Sequence, residues 1–290
     1  MIIVKLMGGL GNQMFQYAAG RALAFANNDR LKLDLSYFLN PPAENVPRKY
    51  ELYNFKLVAE EATNEQLRHF FPRSLVQRVF KKVKQSMGVS QPSYFSEPHF
   101  HYSPNFNSLS GDVYLDGYWQ SAKYFSSIEN IIRYELNPVF SGCQKTARLL
   151  GKILGSNSVC INVRRADFLQ NNYHGCMGTD YYDEAQAIIT RLVGNSKKFI
   201  FSDDIAWCKE QFGNALDTTV VGHEYAGSDF IDYLFLMLSC KHFIIPNSSF
   251  AWWAAWLCTN PNKQVIAPLR WFNDPSVNTS DIVSDEWLRI

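Results

Sequence analysis

The sequence predicts an α/β protein of two doubly wound halves, each built on a parallel sheet. Three observations predict it. A length of 290 residues suits two domains at roughly 150 residues each. Beyond residue 142, apolar β-rich runs alternate with helical patterns at the interval that parallel sheets use. The chain also opens with the same device: an apolar run, a glycine turn, a helical stretch and a second apolar run. A composition shift at Phe140–Gly142 divides it into halves 1–141 and 142–290.

Taken in order, Ile2 to Leu6 reads as a strand and Gly8-Gly9-Leu10-Gly11 as a turn. Asn12 to Asn27 reads as a helix, carried by good helix formers such as Ala18, Ala19, Ala22 and Leu23. Leu31 to Leu35 alternates as a second strand, and Pro41-Pro42 breaks the next segment. Residues 64–87 read as helical with a break at Pro72, and the Pro-, Asn- and His-rich stretch Ser90 to Asp112 as a long surface loop. Val113 to Tyr118 is expected to be a strand and Ile128 to Glu135 a helix. In the second half, helices are expected at 144–154, 181–193, 205–212, 228–239 and 249–258. Strands are expected at Ser158–Val163, Lys198–Ser202, Thr218–Val221, His242–Ile245 and Gln264–Ala267.

Composition excludes several classes of function. With 28 Lys+Arg against 27 Asp+Glu the net charge is +1, so no global field draws the chain to nucleic acid. Six cysteines, at 143, 160, 176, 208, 240 and 258, show neither C-x-x-C pairs nor metal-ligand spacing, and read as reduced, mostly buried thiols. The longest stretch free of charged residues, His242 to Asn262, holds only nine consecutive residues of apolar character, Phe250 to Cys258, too few to span a bilayer. A cytoplasmic location is expected. Arg73, Arg78, Lys81, Lys82 and Lys84 flank the apolar stripe Leu75, Val76, Val79, Phe80 and Val83. That segment reads either as a core-packed helix with a solvated basic face, or as a weak peripheral contact with anionic lipid on the inner face of the membrane.

Four constellations carry chemistry. Gly9-x-Gly11 between strand and helix, with Asp34 ending the next strand, resembles a dinucleotide fingerprint and would make the chain a nicotinamide-dependent oxidoreductase. However, the third glycine position is Met14, whose bulk opposes close helix–strand packing, and the turn is followed by the amides Asn12 and Gln13. Asn162-Val163-Arg164-Arg165-Ala166-Asp167 ends the first strand of the second half, at the sheet edge where ligands bind. An arginine fork there suits phosphate, one arginine meeting a ligand while the other braces the scaffold, with Asp167 able to orient a guanidinium. Asp203-Asp204 ends the next strand and suits ribose hydroxyls, a metal, neighbouring arginines or a helix cap. Asn247-Ser248-Ser249 opens a helix whose free N–H groups and hydroxyls form either a phosphate site or an ordinary serine cap. Trp252, Trp253 and Trp256 read as core.

Gly8 to Ala18, Leu115 to Ser121 with Lys123-Tyr124-Phe125, Asn162 to Asp167, Phe201 to Asp204 and Asn247 to Trp253 together resemble the bacterial α-1,2-fucosyltransferases of glycosyltransferase family eleven. The likeness runs in order from residue 1 to about 267. It implies a GT-B fold, two Rossmann-like domains facing across a cleft, with the acceptor on the first and GDP-fucose on the second. It implies inverting transfer of L-fucose to the 2-hydroxyl of a galactose in an oligosaccharide or lipid-linked glycan, without a metal. By the same likeness Arg164, Asn12 and Asp167 are the catalytic candidates. Gly11, Gln13, Asn162, Arg165, Asp203, Asp232, Ser248 and Ser249 are the donor-binding ones, with Asp232 clamping guanine through both carboxylate oxygens. Where the family carries histidine this chain has Asn162, which cannot carry a proton at neutral pH. The general base is left open among Glu97, His99, His101 and Asp116. A non-catalytic GDP-sugar-binding protein is the remaining alternative.

Overall fold

The computed structural model describes residues 1–40, 47–71, 92–166, 168–170, 173 and 175–290. They form two compact units, Met1–Leu136 and Asn137–Ile290. The basic segment 73–84 and Asp167 lie outside the described residues.

The first unit holds a five-stranded parallel sheet of β1 (Ile2–Lys5), β2 (Leu31–Asp34), β3 (Glu60–Glu61), β4 (Ser93–Ser96) and β5 (Val113–Asp116). Its order is β3-β2-β1-β5-β4. Helix α1 (Leu10–Ala26) covers one face, and the short helix Asn64–Phe70 packs Phe70 and Leu67 with Ile3 and Tyr114 on the other. Period-two alternation explains the split: Ile2 and Val4 point to one side of β1, Ile3 and Lys5 to the other. A Cβ on Gly20 would lie 2.9 Å from Leu31 Cδ1 and 3.0 Å from Val4 Cγ1, so this glycine is where α1 approaches the sheet most closely. Met14 is itself fully buried in the helix.

One expectation is corrected here. The stretch from Ser90 contains β4, whose residues pair with β5 from Ser93↔Val113 to Ser96↔Asp116. As an edge strand it alternates between half-buried and exposed positions and carries no apolar run. Two-residue β3, exposed at both positions, was equally hidden.

The second unit holds six parallel strands: β6 (Ser158–Val163), β7 (Lys197–Ser202), β8 (Thr218–Val221), β9 (His242–Ile244), β10 (Val265–Ala267) and β11 (Leu288–Arg289). The order is β11-β10-β9-β6-β7-β8. Every residue of β6 is buried, as a central parallel strand requires. Val159, Ile161 and Val163 pack against Tyr182, Ala185 and Ile189 of helix Thr179–Val193 and Cys208 of helix Ile205–Phe212. On the opposite side of the sheet Phe201 meets Tyr233 of helix Ile231–Leu238 at 5.3 Å. Helix Ser249–Leu257 is apolar all round, and Trp252 and Trp253 are fully buried in it, which makes it a core helix.

Candidate active site

Both sheets are open, and in open α/β sheets ligands bind outside the carboxyl ends of the strands where the winding direction reverses. In the second unit the order places that reversal between β6 and β9. The residues leaving those two strands are Arg164-Arg165 and Asn247-Ser248-Ser249. In the first unit the reversal falls between β1 and β5, whose exits are the Gly8–Gly11 turn and Gly117–Ser121.

At the second unit's edge the two arginines part ways. Arg164 Nη1 lies 2.9 Å from Asp203 Oδ2, and its guanidinium rests 5.5 Å from the Phe168 ring. Arg165 turns the other way: its guanidinium stacks 4.1 Å over Trp207, its Nε is 3.5 Å from Asp204 Oδ2, and Nη1 reaches Cys176 Sγ at 3.8 Å. The Arg165 backbone N–H also donates to Asp203 Oδ1 at 2.9 Å. Arg165 therefore braces the loop, with ring, carboxylate and sulfur around its guanidinium. Arg164 keeps more exposure, its side chain 28% accessible against 17% for Arg165.

The paired carboxylates resolve in the same way. Asp204 caps helix Ile205–Phe212 by accepting from Trp207 N at 3.1 Å, and Asp203 serves both arginines. Among the described residues no group of three His, Cys, Asp or Glu side chains gathers at metal-binding distance. Asn162 is buried and donates from Nδ2 to Phe201 O at 3.1 Å, tying β6 to β7. Asn247 Nδ2 donates to Trp271 O at 2.9 Å, and Ser248 caps the following helix, its Oγ 3.5 Å from Ala251 N. Ser249, in the first turn of that helix, is only half-buried.

Asp232 lies at the start of the helix Ile231–Leu238. It is 3% exposed, and its Oδ1 accepts from both Ser141 N (3.1 Å) and Ser141 Oγ (3.3 Å). The guanine clamp expected of Asp232 would therefore have to share Oδ1 with Ser141. Asp232 sits just after Asp229 and Phe230, two non-glycine residues in the left-handed region (φ 54° and 60°). Backbone strain of this kind gathers at functional sites.

At the first unit's edge, Gly8 turns with φ +76°, a conformation that favours glycine, and Asn12 Nδ2 occupies the space its Cβ would need, 2.6 Å away. Asn12 Oδ1 accepts from Gln120 Nε2 at 2.8 Å. That bond fixes the orientation of the Asn12 amide. Gln13 does not join it. It is fully buried, its Nε2 donating to Gly8 O (3.0 Å) and Lys49 O (2.8 Å) and its Oε1 accepting from Glu51 N (2.9 Å). Gln13 thus staples the glycine turn to the chain at 49–51. Gly11 is buried inside the first turn of α1. Asp34 accepts from Tyr114 Oη (2.5 Å) and Ser36 N (2.9 Å).

Two features were not apparent from the sequence. The Arg48 guanidinium lies against the Gly8–Gly9 turn, about 3.9 Å from where a Gly9 Cβ would stand. Glu97, placed by β4, accepts from Tyr118 N (2.7 Å) and Trp119 N (3.0 Å) and so holds Trp119 in the left-handed region at φ 56°. Burial pushes the Glu97 carboxyl up to about 7, against the downward pull of those two N–H donors. Of the other base candidates, His99 and His101 stack on each other at 3.5 Å, and Asp116 is paired with Lys5 (3.1 Å) and Tyr94 Oη (2.6 Å).

Comparison with known proteins gives the family. The chain is 31% identical to an alpha-1,2-colitosyltransferase of Escherichia coli over all of its own length and 98% of the relative. It is 31% identical to the O-antigen biosynthesis glycosyltransferase WbnK of Escherichia coli, covering 98% of this chain and 99% of that one. A galactoside 2-alpha-L-fucosyltransferase of Caenorhabditis elegans is 25% identical over 51% of this chain and 44% of its own. Residues 81–290 match the model for glycosyl transferase family 11. The chain belongs to glycosyltransferase family 11.

Proposed function

We propose that the protein transfers L-fucose from GDP-fucose to the 2-hydroxyl of a galactose, inverting the anomeric centre. The observation that carries this reading is the partly exposed Arg164 at the sheet reversal of the second unit, oriented by Asp203 and close in topology to the helix start at Ser249. As GDP leaves, charge grows on its β-phosphate, and preorganised donors aimed at that charge supply much of the rate. In this reading Arg164 provides a planar fork, and the Ser249 hydroxyl and N–H add neutral donors. Asn12 Nδ2, fixed by Gln120, serves the transferred sugar.

The sugar passes through an oxocarbenium-like state, as in other glycosyl chemistry, and the accepting hydroxyl loses its proton late. Glu97 is the acceptor of that proton in this account. Its proton affinity near neutrality suits a general base, whereas Asp116 is neutralised by Lys5. The first unit then binds the acceptor glycan, and the second, with its arginine edge, binds the nucleotide. The acceptor is a galactose-terminated oligosaccharide or lipid-linked glycan.

A second donor is favoured by one observation, the full-length similarity to an alpha-1,2-colitosyltransferase. Colitose lacks the 3-hydroxyl of fucose. A site that hydrogen-bonds that hydroxyl would reject GDP-colitose strongly, because its polar groups would be left unpaired. Assaying both donors with lactose and N-acetyllactosamine, with linkage determined by NMR, tests the proposal. An α-1,2-fucosyl product supports it. A product with GDP-colitose alone moves the assignment to colitose, and binding of GDP-fucose without turnover on any galactoside favours a non-catalytic role.

A further inference from the structure

One face of the first sheet carries polar side chains that the transfer chemistry does not use. At its carboxyl end Lys5 pairs in register with Asp34 of β2 and reaches Asp116 of β5 at 3.1 Å. One row below, Tyr114 sends its hydroxyl to Asp34 (2.5 Å) and Tyr94 sends its hydroxyl to Asp116 (2.6 Å). The Tyr94 ring is thereby held on three sides. Tyr114 stacks on it at 5.6 Å and 13°, Phe71 meets it edge-on at 5.7 Å and 74°, and Asp116 anchors its oxygen. Yet Tyr94 is 50% exposed and Phe71 41% exposed.

A rigid aromatic ring with an open face, bordered by a lysine and a carboxylate, matches the two-sided chemistry of a pyranose. The sugar's C–H face packs on the ring, and its hydroxyls both donate to a carboxylate and accept from an ammonium. The local charge, two aspartates against one lysine, disfavours a diphosphate and suits a neutral sugar. We propose that Tyr94, with Phe71 at its edge and the Lys5–Asp116 pair beside it, is the platform on which the acceptor sugar stacks. This inference rests on the transferase reading above for the identity of the sugar as a galactoside. The hydroxyl of Tyr94 stays protonated across the working range, since its bond to Asp116 pushes it up to about 12.

The test uses the full-length chain and lactose. Tyr94→Leu keeps bulk on the edge strand but offers no ring, and Tyr94→Trp restores one. Tyr94→Leu is expected to raise the KM for lactose about tenfold, within the range seen for truncated aromatic anchors. The KM for the nucleotide sugar and the thermal midpoint should stay at wild-type values, and Tyr94→Trp should recover most of the loss. Saturation-transfer NMR with lactose alone gives a second readout, strong on the galactose ring protons in wild type and lost in Tyr94→Leu. An unchanged lactose KM and unchanged saturation transfer in a folded Tyr94→Leu variant overturn the platform. So does a rise in the donor KM alone, which would make the ring a base-stacking surface. Should wild type transfer to no galactoside, the functional reading has failed. Tyr94-dependent saturation of lactose then still supports the platform, and its absence in wild type overturns it.

Discussion

The two sheets end in edges that occupy the same topological position and solve opposite electrostatic problems. In the first unit Asp34 and Asp116 are balanced by a lysine and two tyrosine hydroxyls, and Asn12 by Gln120. In the second unit Asp203 and Asp204 are balanced by two guanidinium groups. Hydroxyl and amide partners leave, around Asp34 and Asp116, a polar edge with one lysine, suited to a neutral ligand, while Arg48 lies apart against the glycine turn. Guanidinium partners leave an edge with fixed positive forks, suited to phosphate. This difference is the ground on which the proposed function gives sugar and nucleotide to different units.

The largest effect expected is at Arg164. Arg164→Lys keeps the charge but loses the fork, and turnover should fall on the order of 10²–10³-fold. Near-wild-type rates in single-turnover assays would remove the distinction between the two edges. Next comes Glu97→Gln, expected to lower turnover on the order of 10²-fold and to abolish the rise in activity with pH centred on about 7. A pH–rate profile with the same limb in the variant would reassign the base. The same substitution has a stability signature. Because the folded carboxyl is raised above its ordinary 4.5, the folded state binds the proton more tightly than the unfolded state, and this favourable contribution is lost as pH climbs from about 4.5 through about 7. Urea titrations at pH 5 and pH 8 should show wild type losing stability relative to Glu97→Gln at the higher pH.

Gly20→Ala probes the frame of the first unit alone. Its Cβ would crowd Leu31 and Val4, and overpacking of this kind costs about 1–3 kcal/mol. Calorimetry should show a lower midpoint with donor affinity unaltered. A midpoint equal to wild type would mean that α1 can lift off the sheet at little cost. The smallest expected effect is none: EDTA should leave activity intact, because Asp203 and Asp204 already hold arginine partners that a divalent cation would have to displace. Activity lost on chelation and restored by Mg²⁺ or Mn²⁺ would turn the second edge into a metal site.

The same contrast governs how legible each edge was in the sequence. Buried parallel strands such as β6, apolar along their length, announced themselves, and so did the helices between them. Edge strands did not: β4 alternates polar and aromatic residues, and β3 is two exposed glutamates. At the site, residue type placed Arg164 and Asp203 at one edge because the strand ends are readable. The inward turn of Gln13 was not readable, since it depends on Lys49 and Glu51 arriving from a distant segment. Nor was the raised carboxyl of Glu97, which is a consequence of burial under a turn contributed by residues 117–119. Chemistry set by a residue's own identity was legible, and chemistry set by long-range neighbours was not.

The strand order of the first sheet also bears on how the chain is made. β1 precedes the other strands of its sheet in the chain, yet it lies in the middle of the sheet, with β5 as its neighbour on one side. β2 pairs with Ile2–Lys5 early, but the partner Val113–Leu115 emerges much later. At about 5–20 residues per second the nascent chain waits on the order of 5 to 20 s. Throughout that interval one side of an apolar strand has unpaired N–H and C=O groups, the template on which chains mispair. Co-translational chaperone contact should therefore fall on the first unit before β5 has emerged, and slowing translation upstream of Val113 should raise aggregation more than slowing it downstream.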